Sequence, residues 1–394
     1  MLNTSTRSDA LHTTLKSAPV MHSVRFHGPG DIRVDEVEEP ICGKGQVKVR
    51  LVCSFFPLDM VLTDINCVQM KPAYVGICGS DLHEYTGGPV LIPEQPHHIT
   101  GSTYPATLGH EFGGFVEEVG EGVTNVFPGQ RVVVRPTIFD GTCSACQRGY
   151  NHCCENIGFI GLSGYGGGLS QKVVAPANHF YALPNNISLE TAALVEPLAV
   201  SWHAVNLSPF NKGDNVLVMG GGPIGLGVVQ VLKLHGAGQI MVAELMDSRK
   251  KMCTEYGATT ILDPREVNVA ERVRELTGSV GADVVFDTAG SEKALIGAIP
   301  AVRAQGTIVN IAVWEGKPAL PVNQLMYQEV RYMGAALYDE QAFLDVIEAL
   351  SRGDLRPEAM ITARIALQDV VDRGFRALLD HRDEHCKILV DVQN

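Results

Sequence analysis

Residues 215–225 read Asn-Val-Leu-Val-Met-Gly-Gly-Gly-Pro-Ile-Gly (NVLVMGGGPIG). Asn215–Met219 is an apolar run of strand length. Three glycines break it, and Ile224–Leu234 continues as an apolar stretch of helical length. Gly220, Gly222 and Gly225 fit G-x-G-x-x-G, with Ile224 inside the turn, in the strand–turn–helix context that this pattern requires. Such a turn brings backbone N–H groups and a helix N-terminus up to a pyrophosphate. The competing reading is a glycine turn that merely packs helix on strand. Ile240–Ala243 forms the next expected strand, and Glu244 ends it, 19 positions after Gly225. A carboxylate at that spacing accepts from ribose hydroxyls and repels a 2′-phosphate, which favours NAD over NADP. Arg249 is expected either against the adenosine or as an exposed helix arginine.

Outward from this stretch, further strands are expected at Asp283–Asp287, Gly306–Ile311 and Tyr332–Ala336, with helical stretches between them. Alternation of that kind predicts a doubly wound parallel sheet in an α/β protein. Upstream, from His22 to about Leu183, short alternating runs are split by Gly and Pro. Val47-Lys48-Val49, Gly113–Val119 and Arg131–Val134 are examples. They predict an irregular β-rich domain. Asn185–Val205 reads as helix. The tail, helical over Gln341–Arg352 and strand-like over Lys387–Val392, is expected to return to the first domain. A chain of 394 residues suits two domains. The expected division is an N-terminal extension at 1–20, a catalytic domain at 21–200 and 338–394, and a nucleotide domain at 201–337.

The net charge of −13 argues against nucleic acid or an anionic membrane as partner. No apolar run approaches the ~20 residues of a membrane span. Residues 1–20 are polar and lack the apolar core of a signal peptide. They read as a disordered extension before Met21, with a weak mitochondrial presequence as the competing reading. The expected location is cytoplasmic. Of ten cysteines, four fall between Cys143 and Cys154. In a large acidic chain without a signal peptide such a cluster points to metal rather than disulfides.

Three separate segments carry metal-binding chemistry. Gly76-Ile77-Cys78-Gly79-Ser80-Asp81-Leu82-His83 sets a thiol beside a hydroxyl, a carboxylate and an imidazole. Gly109-His110-Glu111 pairs imidazole with carboxylate, and Val195-Glu196-Pro197 adds a carboxylate before the nucleotide half. One thiolate, one imidazole and one carboxylate make a three-ligand zinc site with an open fourth position. Taken singly, each residue also reads as a buried Cys, a capped His or a surface Glu.

In GICGSDLHEY (76–85), GHEFGGFVEEVG (109–120), the cysteine cluster, VEPLAVSWHAV (195–205) and GGGPIGLG (220–227), the chain resembles the zinc-containing medium-chain alcohol and polyol dehydrogenases. The resemblance implies a GroES-like, partly open β-barrel catalytic domain joined to a Rossmann domain. It implies Cys78, His110 and Glu196 as catalytic zinc ligands, Glu111 as a carboxylate close to the metal, and Asp81 as the group orienting a ligand histidine. Ser80 would take the substrate proton and His83 would relay it to solvent, against the plainer reading of His83 as a surface histidine. A glutamate as third ligand resembles the butanediol and polyol branch. The implied substrate is a small secondary alcohol or diol, butane-2,3-diol with acetoin first and sorbitol or xylitol second. The implied state is a homodimer or homotetramer pairing near Tyr332–Ala336. A non-enzymatic protein on this fold would need the glycines, but would have no reason to keep Cys78, Ser80, His83, His110 and Glu196 together.

Two departures stand out. Relatives with a structural zinc space four ligands C-x2-C-x2-C-x7-C. Here the spacing reads Asp140, Cys143, Cys146 and Cys154, with aspartate in first place. A Cys3Asp zinc site competes with a loop of three thiols and a solvated Asp140. Second, Arg50–Met70 lacks a counterpart in the family pattern, and removing it joins Val47-Lys48-Val49 to Lys71–Val75. The block reads either as a retained intron in the gene model, which could yield an inactive product, or as a real loop over the cleft. It is expected to interrupt the strand that delivers Cys78.

Overall fold

The computed structural model describes residues 19–42, 67–314 and 316–393. The nucleotide half is a six-stranded sheet, parallel throughout. In chain order its strands are Asn215–Met219, Gln239–Ala243, Thr260–Leu262, Ala282–Asp287, Val302–Asn310 and Arg331–Gly334. Numbered in that order they lie 3-2-1-4-5-6 across the sheet. This is the doubly wound arrangement, whose ligand crevice lies where the winding reverses, beyond the carboxyl end of the first strand.

Both faces of the sheet are covered. Val216 and Val218 pack with the helices Pro223–Leu234 and Val195–Leu207, while Leu217 and Met219 pack on the opposite face. The two-residue alternation of a strand does the sorting. Leu226, Val228, Val229, Val231 and Leu232 are fully buried on the first helix. Each such side chain stabilises the layer by roughly 1.5–3 kcal/mol relative to exposure.

The catalytic half is built on a largely antiparallel sheet. Its path runs Phe180–Ala182, Arg131–Val134, Glu111–Val119, Cys67–Gly76, Lys387–Asp391 and Ile361–Ala366, and Val173–Pro176 pairs with the start of Cys67–Gly76. Val20–Gly28, Asp31–Glu38 and Ala106–Thr107 form a second, three-stranded sheet. Phe26, Val68, Met70, Phe112, Val132, Ile388 and Val390 share the core between them. The tail thus returns to the catalytic half, by two strands rather than the one expected. Among the described residues no helix is long and apolar enough to cross a membrane.

Three expectations need correction. The helix expected over Asn185–Val205 is two helices, Leu189–Ala192 and Val195–Leu207. The edge strand is Arg331–Gly334 rather than Tyr332–Ala336. The strand leading to Cys78 is not interrupted, because Cys67–Met70 from the end of the questioned block forms its first part, in register with Val116–Val119 and Val173–Pro176. Its alternation suits the slot: Val68 and Met70 are fully buried. The expectations for residues 1–18, for the strand at Val47–Val49 and for the rest of the block lie outside the described residues.

Candidate active site

Cys78 lies between the strand Cys67–Gly76 and the helix Gly79–Gly87, at the helix N-cap position. Asp81 fixes the turn, its Oδ2 accepting from the Cys78 amide at 2.9 Å. His110 and Glu111 arrive from the neighbouring strand, where Gly76 faces Glu111 in register. Gly76 is required at that crossing: a Cβ there would stand 2.2 Å from Glu111 Oε2.

Ligand atoms of Cys78, His110 and Glu111 lie within 4.8 Å of one another. Glu196, from the first turn of Val195–Leu207, is buried close by but outside that group, its carboxylate facing the Tyr338 hydroxyl. Burial pushes Glu196 up to about 7, with the His110 charge opposing. Burial works against charge on His110 too, but Asp81, Cys78 and Glu196 outweigh it and hold the imidazole well above its usual value.

The donor set fits a divalent metal. His110 Nδ1 and Asp81 Oδ1 are buried, have no hydrogen-bond partner, and face each other at 3.6 Å. An ion on Nε2 would make Nδ1 the donor and Asp81 its acceptor, the orienting pair that metal-bound histidines use. His110 Nε2 meets Ser80 Oγ at 3.0 Å. Ser80 and half-buried His83 line the same cleft.

Sequence reasoning missed Lys387. Its Nζ is buried and donates to Glu111 Oε1 at 2.8 Å, to Oε2 at 2.6 Å, and to the Ile77 carbonyl at 3.2 Å. Glu111 therefore stands near Cys78 and His110 but is tied into an ion pair. A lysine opening a C-terminal strand gives no local sign of this. Glu84 was also missed: its carboxylate accepts from the amides of Val90, Leu91 and Ile92, which shapes the loop at one wall of the cleft.

The cleft has a volume of about 1410 Å³ and runs from Cys78, His110 and Glu196 to the glycine turn, where Pro223, Ile224 and Arg249 line it. In the turn a Cβ on Gly225 would lie 2.0 Å from the Gly220 carbonyl oxygen, so helix and strand meet only with glycine there. Gly222 caps the helix at its open end. Glu244 braces the turn, with Oε2 accepting from the Gly221 amide at 2.6 Å and Oε1 from the Leu245 and Met246 amides at 2.7 Å. Arg249 Nη1 stands 3.9 Å from where a Gly222 Cβ would be, placing it at the turn rather than out on the helix.

The second cluster comes together as its spacing suggested. Ligand atoms of Asp140, Cys143, Cys146 and Cys154 lie within 4.8 Å of one another. Amides of Cys143 and Thr142 and the Asn156 side chain donate to Asp140 and hold its carboxyl well below the usual range. The Cys146 amide lowers Cys143, while burial pushes Cys146 up to about 12 and raises Cys154. Three sulfurs and one carboxylate in a closed lobe suit a four-coordinate zinc. Cys153 is exposed and outside the group.

Residues 65–185 match the family model for the alcohol dehydrogenase GroES-like domain, and residues 223–352 match that for zinc-binding dehydrogenases. The first match begins inside the block Arg50–Met70, so its last six residues do have a counterpart in the family. The chain is 38% identical to an (R,R)-butanediol dehydrogenase of Bacillus subtilis, over 94% of this chain and 99% of that protein. It is 35% identical to an (R,R)-butanediol dehydrogenase of Neisseria gonorrhoeae, with the same coverage. The crystal structure of 2R,3R-butanediol dehydrogenase from Bacillus subtilis superposes with a TM-score of 0.83 at 37% identity, over 94% of this chain and 99% of that one. With both halves matched and relatives at 35–38% identity covered almost end to end, the chain belongs to the zinc-binding alcohol dehydrogenase family.

Proposed function

We propose that the chain is an NAD-linked dehydrogenase of small vicinal diols, interconverting butane-2,3-diol and acetoin. The observation that carries this reading is one cleft with a thiol–imidazole–carboxylate trio at one end and a glycine turn braced by Glu244 at the other. Cys78, His110 and Glu196 would hold a catalytic zinc, which supplies Lewis-acid polarisation of the substrate oxygen. The nicotinamide supplies the hydride acceptor.

This chain's residues do the rest. Ser80 Oγ would take the proton of the substrate hydroxyl while passing its own proton on toward His83. His83, three residues on along the same helix, passes the proton outward. Asp81 holds the His110 ring, and Lys387 keeps the Glu111 carboxylate paired. Apolar walls from Leu82, Ile157, Phe159 and Leu162 exclude water around a small substrate. Glu244, whose oxygens accept from the Gly221, Leu245 and Met246 amides, would offer its remaining lone pairs to the adenosine ribose, with Arg249 alongside, so NAD is the cofactor. Asp140, Cys143, Cys146 and Cys154 would hold a structural zinc. The catalytic half comprises residues 21–200 and 338–394, the nucleotide half residues 201–337, and the chain pairs with a second copy through the edge strand Arg331–Gly334.

Rates with butane-2,3-diol, sorbitol and xylitol, each with NAD and NADP, test the reading. Highest kcat/KM is expected for butane-2,3-diol with NAD. Cys78→Ser should abolish oxidation together with one zinc per chain. Preference for sorbitol or xylitol would reject the diol assignment, and an active Cys78→Ser enzyme would reject the metal assignment.

A further inference from the structure

Cys42 and Cys67 stand on either side of residues 43–66, and their sulfurs are 2.8 Å apart. That is longer than the ~2.05 Å disulfide bond, but closer than two thiols rest in simple contact. The surrounding sheet sets this approach. Cys67 opens the strand Cys67–Gly76, pairs with Pro176, and its carbonyl accepts from the Gly120 amide at 2.8 Å. The Cys42 thiol donates to that same carbonyl at 3.3 Å, and the Gln69 side chain donates to the Pro40 carbonyl at 2.6 Å. Lys172 bridges Glu39, beside Cys42, at 2.8 Å and Glu117, on the adjacent strand, at 3.2 Å. Among the described residues, neither cysteine lines the cleft or belongs to a metal-binding group.

We propose that Cys42 and Cys67 are a redox-active pair that closes to an intramolecular disulfide, joining the chain just before residues 43–66 to the chain just after. The oxidant class is a low-molecular-weight disulfide such as oxidised glutathione. Cys67 is the more exposed of the two. Its thiolate attacks one glutathione sulfur, forming a mixed disulfide and releasing one glutathione thiolate. Cys42 then gives its proton to solvent and attacks the Cys67 sulfur, and the second glutathione leaves. In sum, two protein thiols are oxidised to one disulfide and one oxidised glutathione is reduced to two glutathiones. Burial and the neighbouring Cys67 sulfur push the Cys42 thiol up to about 12, so closure is slow near neutral pH. The bond would fix the first residue of the strand that ends beside Cys78.

The test uses the zinc-loaded full chain in glutathione buffers graded from reducing to oxidising. Alkylation quenches the exchange, and digestion proceeds without reduction. Trypsin with an Asp-directed protease cuts at Lys44, at Arg50 and before Asp59 and Asp64, which separates Cys42, Cys53 and Cys67 into different peptides. The expected result is a Cys42–Cys67 cross-linked peptide, with both thiols lost together as the buffer becomes oxidising and both regained with dithiothreitol. Cys42→Ser and Cys67→Ser should each abolish the link while leaving circular dichroism and zinc content unchanged. Should a variant fail to fold, the wild-type peptide map decides alone. A link from Cys42 to Cys53, stable mixed disulfides with glutathione, or two thiols that persist in the most oxidising buffer would each overturn the proposal.

Discussion

Lys387→Met removes the cation from a site where no water can replace it. Lys387 is 2% exposed and Glu111 is 0% exposed, and the ammonium meets both carboxylate oxygens at 2.6–2.8 Å. Methionine has a similar length and fills the space, so packing is largely kept. The cost is therefore electrostatic. Breaking a buried pair by removing one partner costs about 3–5 kcal/mol, because the remaining charge is stranded. Glu111→Gln in the same background removes that stranded charge, so the double variant should recover roughly half of the loss or more. The assay is a double-mutant cycle by chemical denaturation of the zinc-loaded protein, with chelator-driven zinc release as second readout. Zinc should leave Lys387→Met more slowly than wild type, because a cation is lost from beside the site and an untied Glu111 adds a carboxylate next to Cys78 and His110. If Lys387→Met lies within about 0.5 kcal/mol of wild type, the ion pair contributes no net stability and the reasoning fails. A double variant less stable than Lys387→Met would refute the stranded-charge explanation.

Three further outcomes are expected. Burial raises Glu196 in the metal-free protein from an ordinary 4.5 to about 7. Its favourable contribution is then complete below about pH 4.5 and is lost as pH rises through about 7, on the order of 3 kcal/mol. Metal-free protein should therefore unfold more easily at pH 8 than at pH 5.5, Glu196→Gln should flatten that difference, and zinc affinity should rise over the same interval. Equal pH profiles for wild type and Glu196→Gln would reject this. Glu244→Ala removes charge-assisted hydrogen bonds worth about 1.5–3 kcal/mol each, so NAD should bind at least about tenfold more weakly and the NAD-to-NADP preference should narrow. An unchanged preference would dissociate Glu244 from cofactor choice. Asp140→Ala should lower zinc content by one ion per chain while Cys78 keeps its own, read by elemental analysis. Unaltered zinc content would show that Asp140 is not a ligand.

Several features were legible in the chain because their parts are near neighbours in it. The run from Asn215 through the glycines to Leu234 is strand, turn and helix in immediate succession, so periodicity and turn chemistry suffice. Asp140, Cys143, Cys146 and Cys154 fall within one short lobe, and resemblance to the family's ligand spacing set them together as one candidate site. Cys78, His110 and Glu196 are farther apart, and resemblance to a family brought them together.

What lies across the sheet was not legible. Lys387 and Glu111 are 276 positions apart and meet only because the C-terminal strand pairs with Cys67–Gly76, which pairs in turn with Glu111–Val119. The strand's beginning was likewise undecidable locally. Val47-Lys48-Val49 and Val68-Gln69-Met70 carry the same alternation of apolar and polar residues, and period two is all that a strand asks of its sequence. Cross-strand pairing with Val116–Val119 and Val173–Ala175, together with the buried slots taken by Val68 and Met70, decided for the second. The sequence by itself determined the strand–turn–helix of the nucleotide half and the kinds of ligand. The tertiary structure decided which strand carries Cys78, which cation neutralises Glu111, and which thiol faces Cys42, because pairing and burial depend on neighbours remote along the chain.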